Sequence, residues 1–280
     1  MPHDVPAAVD LPRYCARIGY SGPLVPTWEV LAALQAAHIA AIPFEALDPL
    51  TGKGIDLDPA AVDAKLIDGG RGGYCFEQNS LFLRVLRAIG FDAEGRIARV
   101  RWMLPDDAPP TPRTHQMTRV MLGGQAWLVD VGFGSAVPLG PLAMDTAEVQ
   151  PTPHERYRIA AMGAVSRLEA DLGGTWTALY DFEHDAPPAI DYEVGNWYTA
   201  THPASHFTHQ LMVARTTVEA RYALGNNRLT IRRPGHEAEQ HILSADGIAA
   251  ALSEHFGLTV EPGWRAAIER AAAVEVVESA

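Results

Sequence analysis

Cysteine is nearly absent from this chain. Cys15 and Cys75 are the only two, and the sixty positions between them exclude CxxC redox motifs and cysteine-rich zinc modules. Such sparing use fits a reducing compartment, so a cytoplasmic location is expected. An excess of positive charge is missing as well. The chain has 22 Lys and Arg against 34 Asp and Glu, a net charge of −12 and an isoelectric point near 5.3, and its basic residues are scattered. A surface of that kind repels nucleic acid and anionic membranes, and neither is expected as a partner. Long hydrophobic runs are also lacking: the most apolar stretch, 30–42, is interrupted by Gln35 and His38 and is too short to span a bilayer. The first residues, Met1 to Tyr14, carry neither the basic start nor the apolar core of a secretory signal, and no internal repeat or low-complexity tract occurs.

What remains is ordinary globular composition. With 280 residues and 48% hydrophobic content the chain can bury a sizeable core, as one large domain or two to three small packed ones. The hydrophobic periodicity changes character twice and suggests three regions, 1–90, 91–190 and 191–280. The first reads as helices. Thr27 can cap a segment with Val30, Leu31, Leu34 and Ala41 on one face, stopped by Pro43. Asp58-Pro59 opens a second, with Val62 and Leu66 on its apolar face and Gly69-Gly70 as terminator. A third begins near Cys75, carries Phe82, Val85, Leu86 and Ile89 at helical spacing, and ends at Gly90.

From Arg96 the pattern turns to short β-rich runs at 96–103, 115–122, 125–131, 156–160 and 165–172, as in a small antiparallel sheet or barrel. After about Ile190, strands at 210–216 and 228–233 mix with a helix from Ser244 to Phe256 and a final helix after Pro262. Pro187-Pro188 is the candidate linker between the second and third regions.

One segment is chemically loaded. Arg71-Gly72-Gly73-Tyr74-Cys75-Phe76-Glu77-Gln78-Asn79 sets a cysteine where a glycine-rich turn becomes a helix. Unpaired N–H groups and a partial positive charge at a helix start favour thiolate over thiol, and the glycines would let a substrate approach closely. A buried, inert cysteine is the competing account. A thiol is mostly protonated at neutral pH, so a fast nucleophile also needs a base within reach.

His115 starts the run 115–122, Gly123-Gly124 turns the chain, and 125–130 returns, ending on Asp130. Gly-Gly between two such strands signals a hairpin. If Leu122 faces Gln125, Met117 faces Asp130, and Asp130 shares a face with His115, one diagonal step away at a Cα separation of roughly 7–8 Å. Asp130 would then hold the imidazole by one nitrogen and leave the other for the cysteine, the division of labour in nucleophile, base and orienter triads. The inference depends on a two-residue loop. Taken singly, Asp130 could be a strand-end residue satisfied by turn amides and His115 a hydrogen-bonded core histidine.

The segments 71–79, Thr114-His115 and Val129-Asp130-Val131-Gly132-Phe133-Gly134 resemble, in order, the three signature segments of arylamine N-acetyltransferases. Ile42-Pro43-Phe44-Glu45 and the stretch 196–215, with Thr201-His202-Pro203-Ala204-Ser205-His206-Phe207, look like two further family segments, so the resemblance covers nearly the whole chain. Ala46 and Ala200 stand where family members often carry Asn and Ser. The resemblance implies an α+β molecule: an N-terminal helical bundle, a central antiparallel β-barrel and a C-terminal α/β lid. A cysteine-protease-like triad of Cys75, His115 and Asp130 would span the first two. It further implies that Phe44, Phe133 and Phe207 wall the acceptor pocket and that Thr114 and Gly132 touch the pantetheine arm of coenzyme A. For each phenylalanine plain core packing competes.

The implied chemistry is acetyl transfer from acetyl-CoA, a cosubstrate, to small aromatic amines or hydrazines through an acetyl-cysteine. No tightly bound cofactor is expected. A cysteine hydrolase or amide synthase on the same scaffold is the nearer rival, since water or an internal amine could replace the acceptor. The distant rival is a metal-binding protein using His202, His206 and His209, whose i, i+4, i+7 spacing would align on a helix.

Overall fold

The computed structural model describes residues 8–275. The Trp28–Ala41 helix begins where expected, with the Thr27 hydroxyl accepting from the Val30 amide, and ends before Pro43. Asp58 caps the Pro59–Asp63 helix by accepting from the Ala60 amide, and a π-helical turn over Ala64–Asp68 extends it to Gly69. The Cys75–Ile89 helix stops at Gly90, whose φ of 105° is the left-handed conformation that glycine adopts at least cost. A further helix, Leu11–Ile18, capped by Asp10 and closed by Gly19, packs on the Trp28–Ala41 helix and on the Ala64–Asp68 turn.

The strands over 92–183 form one antiparallel sheet of eight, in the order Leu142–Ala143, Gln125–Val129, Arg113–Leu122, Asp92–Val100, Thr175–Glu183, Val165–Leu172, Arg156–Met162, Gln150–Pro151. The sheet curls into a nearly closed barrel. Its two edges are tied by one side chain: the Gln150 carboxamide accepts from the Ala143 amide at 2.7 Å and donates to the Ala143 carbonyl at 3.0 Å. This mimics a strand pair where the chain supplies no ladder, and it covers an otherwise unpaired edge. Met117, Leu128, Tyr157, Ile159, Leu168, Leu179, Tyr180 and Phe182 fill the interior.

A second sheet of five strands is built from the last third of the chain, but its edge strand, Phe44–Glu45, comes from the helical region and pairs with Met212–Thr216. The Ala245–Glu254 and Arg265–Ala272 helices pack with it around the fully buried Trp264.

Several expectations are corrected. The first barrel strand covers Asp92–Val100, not 96–103, because the chain turns after Arg101, with the Leu104 amide on the Arg101 carbonyl and Met103 at a φ of 58°, and the Arg101 guanidinium holds the carbonyls of the 105–109 loop. The Thr175–Glu183 strand and the Ala189–Thr201 helix were not expected; Pro187-Pro188 is the approach to that helix, with Pro188 at its N-cap. His202, His206 and His209 do not share a helix. His202 ends the Ala189–Thr201 helix and stacks on Tyr198, while His206 opens a three-residue 3₁₀ turn and lies against Phe207. Pro203 carries no amide hydrogen to continue the helical ladder, which stops at His202. Among the described residues no three His, Cys, Asp or Glu side chains are grouped as a metal site would need.

Candidate active site

Cys75 is the first residue of its helix, and three interactions hold that start in place. The Glu77 carboxylate accepts from the Tyr74 amide at 3.1 Å, satisfying one of the orphan donors of the first turn, and Lys65 pairs with Glu77 at 2.6 Å. The Gln78 amide donates to the Pro43 and Gly73 carbonyls at 2.9 and 3.1 Å. Its oxygen accepts from His38, which in turn meets the Tyr14 hydroxyl. The glycines before Cys75 serve this packing, not an open approach for substrate: a Cβ on Gly72 would lie 2.1 Å from the Pro43 carbonyl, and one on Gly73 would meet Glu77.

The hairpin adopts the register derived from its two-residue turn. Leu122 pairs with Gln125 and the ladder runs to Thr118 and Val129, with Gly123 and Gly124 both at positive φ. Asp130 lies one residue beyond the ladder, and its carboxylate meets His115 Nε2 at 2.7 Å. The Cys75 thiol donates to the Thr114 carbonyl, the peptide that leads into His115, at 3.5 Å. All three side chains are buried, with Cys75 keeping 4% exposure.

Asp130 takes four donors. His115 and the Tyr180 hydroxyl reach Oδ2 at 2.7 and 3.0 Å, while the Gly132 amide and the Asn79 amide reach Oδ1 at 2.8 and 3.1 Å. Burial alone pushes this carboxyl up, but the imidazole, Gly132 and Asn79 together hold it below the usual carboxylate range. Burial likewise pushes His115 down, and the adjacent Asp130 carboxylate reverses this, with a smaller contribution from Cys75, raising it to about 10. The imidazole therefore keeps a proton at neutral pH.

The remaining expected residues gather around the same point. Gly132 is pressed on the Cys75 backbone: a Cβ there would lie 2.7 Å from Cys75 Cα. The Phe133 ring stands edge-on to the imidazole at 5.1 Å and touches Tyr180. Phe44 and Phe207 lie 6.0 Å apart with their rings tilted, and Tyr74 stands edge-on to Phe207, also at 6.0 Å. All three phenylalanines are only partly buried.

Sequence reasoning missed Asn79 and Tyr180. Asn79 was within reach of it, because it lies four residues after Cys75 and so on the same helix face. Tyr180 sits on the unforeseen Thr175–Glu183 strand, and burial together with Asp130 raises its hydroxyl far above the ordinary tyrosine value, so it acts as a donor.

A family model described as N-acetyltransferase matches residues 27–265. The chain is 42% identical over 266 residues to the arylamine N-acetyltransferase of Mycobacterium tuberculosis, covering 94% of each. Among solved structures it superposes on the Mycobacterium marinum arylamine N-acetyltransferase with a TM-score of 0.90 at 39% identity, covering 94% of this chain and all of that one. The M. marinum structure in complex with CoA gives 0.87 at 39% identity over 94% and 98% of the two chains.

Proposed function

The chain belongs to the arylamine N-acetyltransferase family of acyltransferases, and from that premise we propose that it moves the acetyl group of acetyl-CoA to an aromatic amine or hydrazine in two steps through Cys75. The observation that carries the reading is the His115 imidazole, bonded to Asp130 at 2.7 Å and adjacent to the Cys75 side chain at the start of a helix.

In the first step the Cys75 sulfur attacks the thioester carbonyl, the tetrahedral intermediate collapses, and the coenzyme A thiolate leaves with the proton from His115. Exchange of one thioester for another is nearly balanced in energy. In the second step the neutral aromatic amine attacks acetyl-cysteine, His115 takes the ammonium proton, and Cys75 departs as thiolate. Amide formation is downhill and drives turnover. The Cys75 backbone N–H, unpaired at the helix start, is suited to receive the developing oxyanion. Phe44, Phe133 and Phe207 suit a flat ring, and Thr114 and Gly132 flank the sulfur where the donor arm must pass. That a relative of the same architecture binds CoA supports the donor assignment. Both cysteines are free thiols, which fits a cytoplasmic enzyme. No helix among the described residues is long and apolar enough to cross a membrane.

The test is covalent. Incubation with acetyl-CoA alone adds one acetyl group to the peptide containing Cys75, and an aromatic amine then removes it as acetylated amine appears. Acetylated amine formed with no trappable acetyl-cysteine, and with intersecting double-reciprocal lines, would mean direct transfer in a ternary complex.

A further inference from the structure

The loop 130–138 carries both Asp130 and Phe133, has no regular ladder of its own, and is largely buried. Buried carbonyls of such a loop need donors from elsewhere. The fully buried Arg221, on the Arg221–Gly225 strand of the five-stranded sheet, reaches across to supply them. Its guanidinium donates to the Ser135 carbonyl at 3.2 Å and to the Val137 carbonyl at 2.9 Å, and to the Tyr157 hydroxyl at 3.0 Å. Tyr157 passes its own proton to the carbonyl between them, that of Ala136, at 3.1 Å. Three successive carbonyls, those of Ser135, Ala136 and Val137, are thus held by two side chains from two different sheets. At the loop's feet the buried Gln35 amide bridges the Asp130 and Pro138 carbonyls at 3.2 and 2.9 Å.

Removing a guanidinium from water is expensive, and Glu155 offsets its charge here. An apolar side chain could fill the same volume but could not satisfy the turn. We infer that Arg221 and Tyr157 are positioning residues for the acceptor step: by clamping the 134–137 turn they fix the Phe133 ring edge-on against the imidazole, and so set which aromatic amines can reach the acetyl-cysteine. Neither touches the reacting atoms. The inference rests on the acetyl-transfer reading for its substrate, but the clamp itself does not.

Two variants separate the possibilities. Arg221→Lys keeps the charge and loses the fork, and Tyr157→Phe removes one hydroxyl with little threat to folding. Each is compared with wild type by hydrogen exchange over 131–138, and by the rates of Cys75 acylation and of transfer to a slim and a bulky aromatic amine, per titrated active site. Exchange in that segment is expected to rise roughly tenfold. Acylation should stay within about threefold of wild type, while the preference between slim and bulky amines shifts at least about fivefold. A purely structural role would lower the titrated fraction and leave the preference unchanged; that result, or wild-type exchange over 131–138 in both variants, overturns the inference. If wild type itself takes no acetyl group, the acetyl-transfer reading fails, and the exchange measurement alone decides whether the clamp exists.

Discussion

Asp130 has no spare capacity: its two oxygens face four donors, none of which has water to fall back on. Asp130→Asn replaces one acceptor oxygen by an NH₂, which must point at two of those donors. It also removes the charge that raises His115. The expected result is a loss of about a hundredfold or more in turnover, together with about 1–3 kcal/mol of stability from the donors left unpaired. Turnover near wild type would make Asp130 a structural residue only. Gly132 offers a sharper test of distance. Its φ is not in the left-handed region, so alanine is tolerated by the backbone, but the new methyl would collide with Cys75 Cα and the Asn79 amide. Gly132→Ala should fold and lose most of its acylation rate, since a displacement of the nucleophile by about 1 Å can cost a hundredfold; undiminished acylation in a folded variant would mean that Gly132 does not set the sulfur's place.

At the scale of elements, the hairpin 113–129 shows how far a sequence can be read. Register follows from turn length, turn length from Gly123-Gly124, and the meeting of His115 with Asp130 from register. Gly123→Asn keeps a type I′ turn and reduces the freedom of the unfolded chain, so it should stabilise by about 0.4–1 kcal/mol and leave activity intact. Inserting one residue between the glycines shifts the return strand and should uncouple the pair, seen as loss of turnover in a protein whose circular dichroism is unchanged. The same signal was present and unused at Gly173-Gly174, both at positive φ, where it turns the Val165–Leu172 strand into Thr175–Glu183 and brings Tyr180 to Asp130. The Leu11–Ile18 helix was legible too, from Asp10 at its cap, Pro12 in its first turn and Gly19 at its end. The Ala189–Thr201 helix was not. It carries Gly195 in its middle, needed because a Cβ would meet the Arg113 carbonyl at 2.6 Å, and it leaves Ile190, Val194 and Trp197 exposed, so neither propensity nor amphipathic pattern announced it. Barrel closure through Gln150 and the borrowed Phe44–Glu45 strand are tertiary facts with no local signature.

Across the whole molecule, two groups buried at the foundation of the Cys75 helix make stability depend on pH in opposite senses. Burial lowers His38 to about 4, so between there and its unfolded value near 6.5 the unfolded chain binds the extra proton. Its contribution is fully present above pH 6.5 and is lost as pH falls towards 4, by about 3 kcal/mol at most. Burial raises Glu77 to about 7, against the pull of Lys65, so between about 4.5 and 7 the folded chain holds the extra proton and acidification favours folding. The two slopes oppose each other across the same window, and each masks the other in the parent protein. Urea unfolding at pH 7.5, 6 and 5 should unmask them. His38→Gln, which retains a donor and an acceptor for Gln78 and Tyr14 without a titrating group, should lose less stability on acidification than the parent. Glu77→Gln should lose more, because its neutral amide gains no proton as the pH falls. Parallel pH profiles for the parent and both variants would mean that the foundation of the helix opens to water far more readily than its burial implies, and with it the start of the helix on which Cys75 sits.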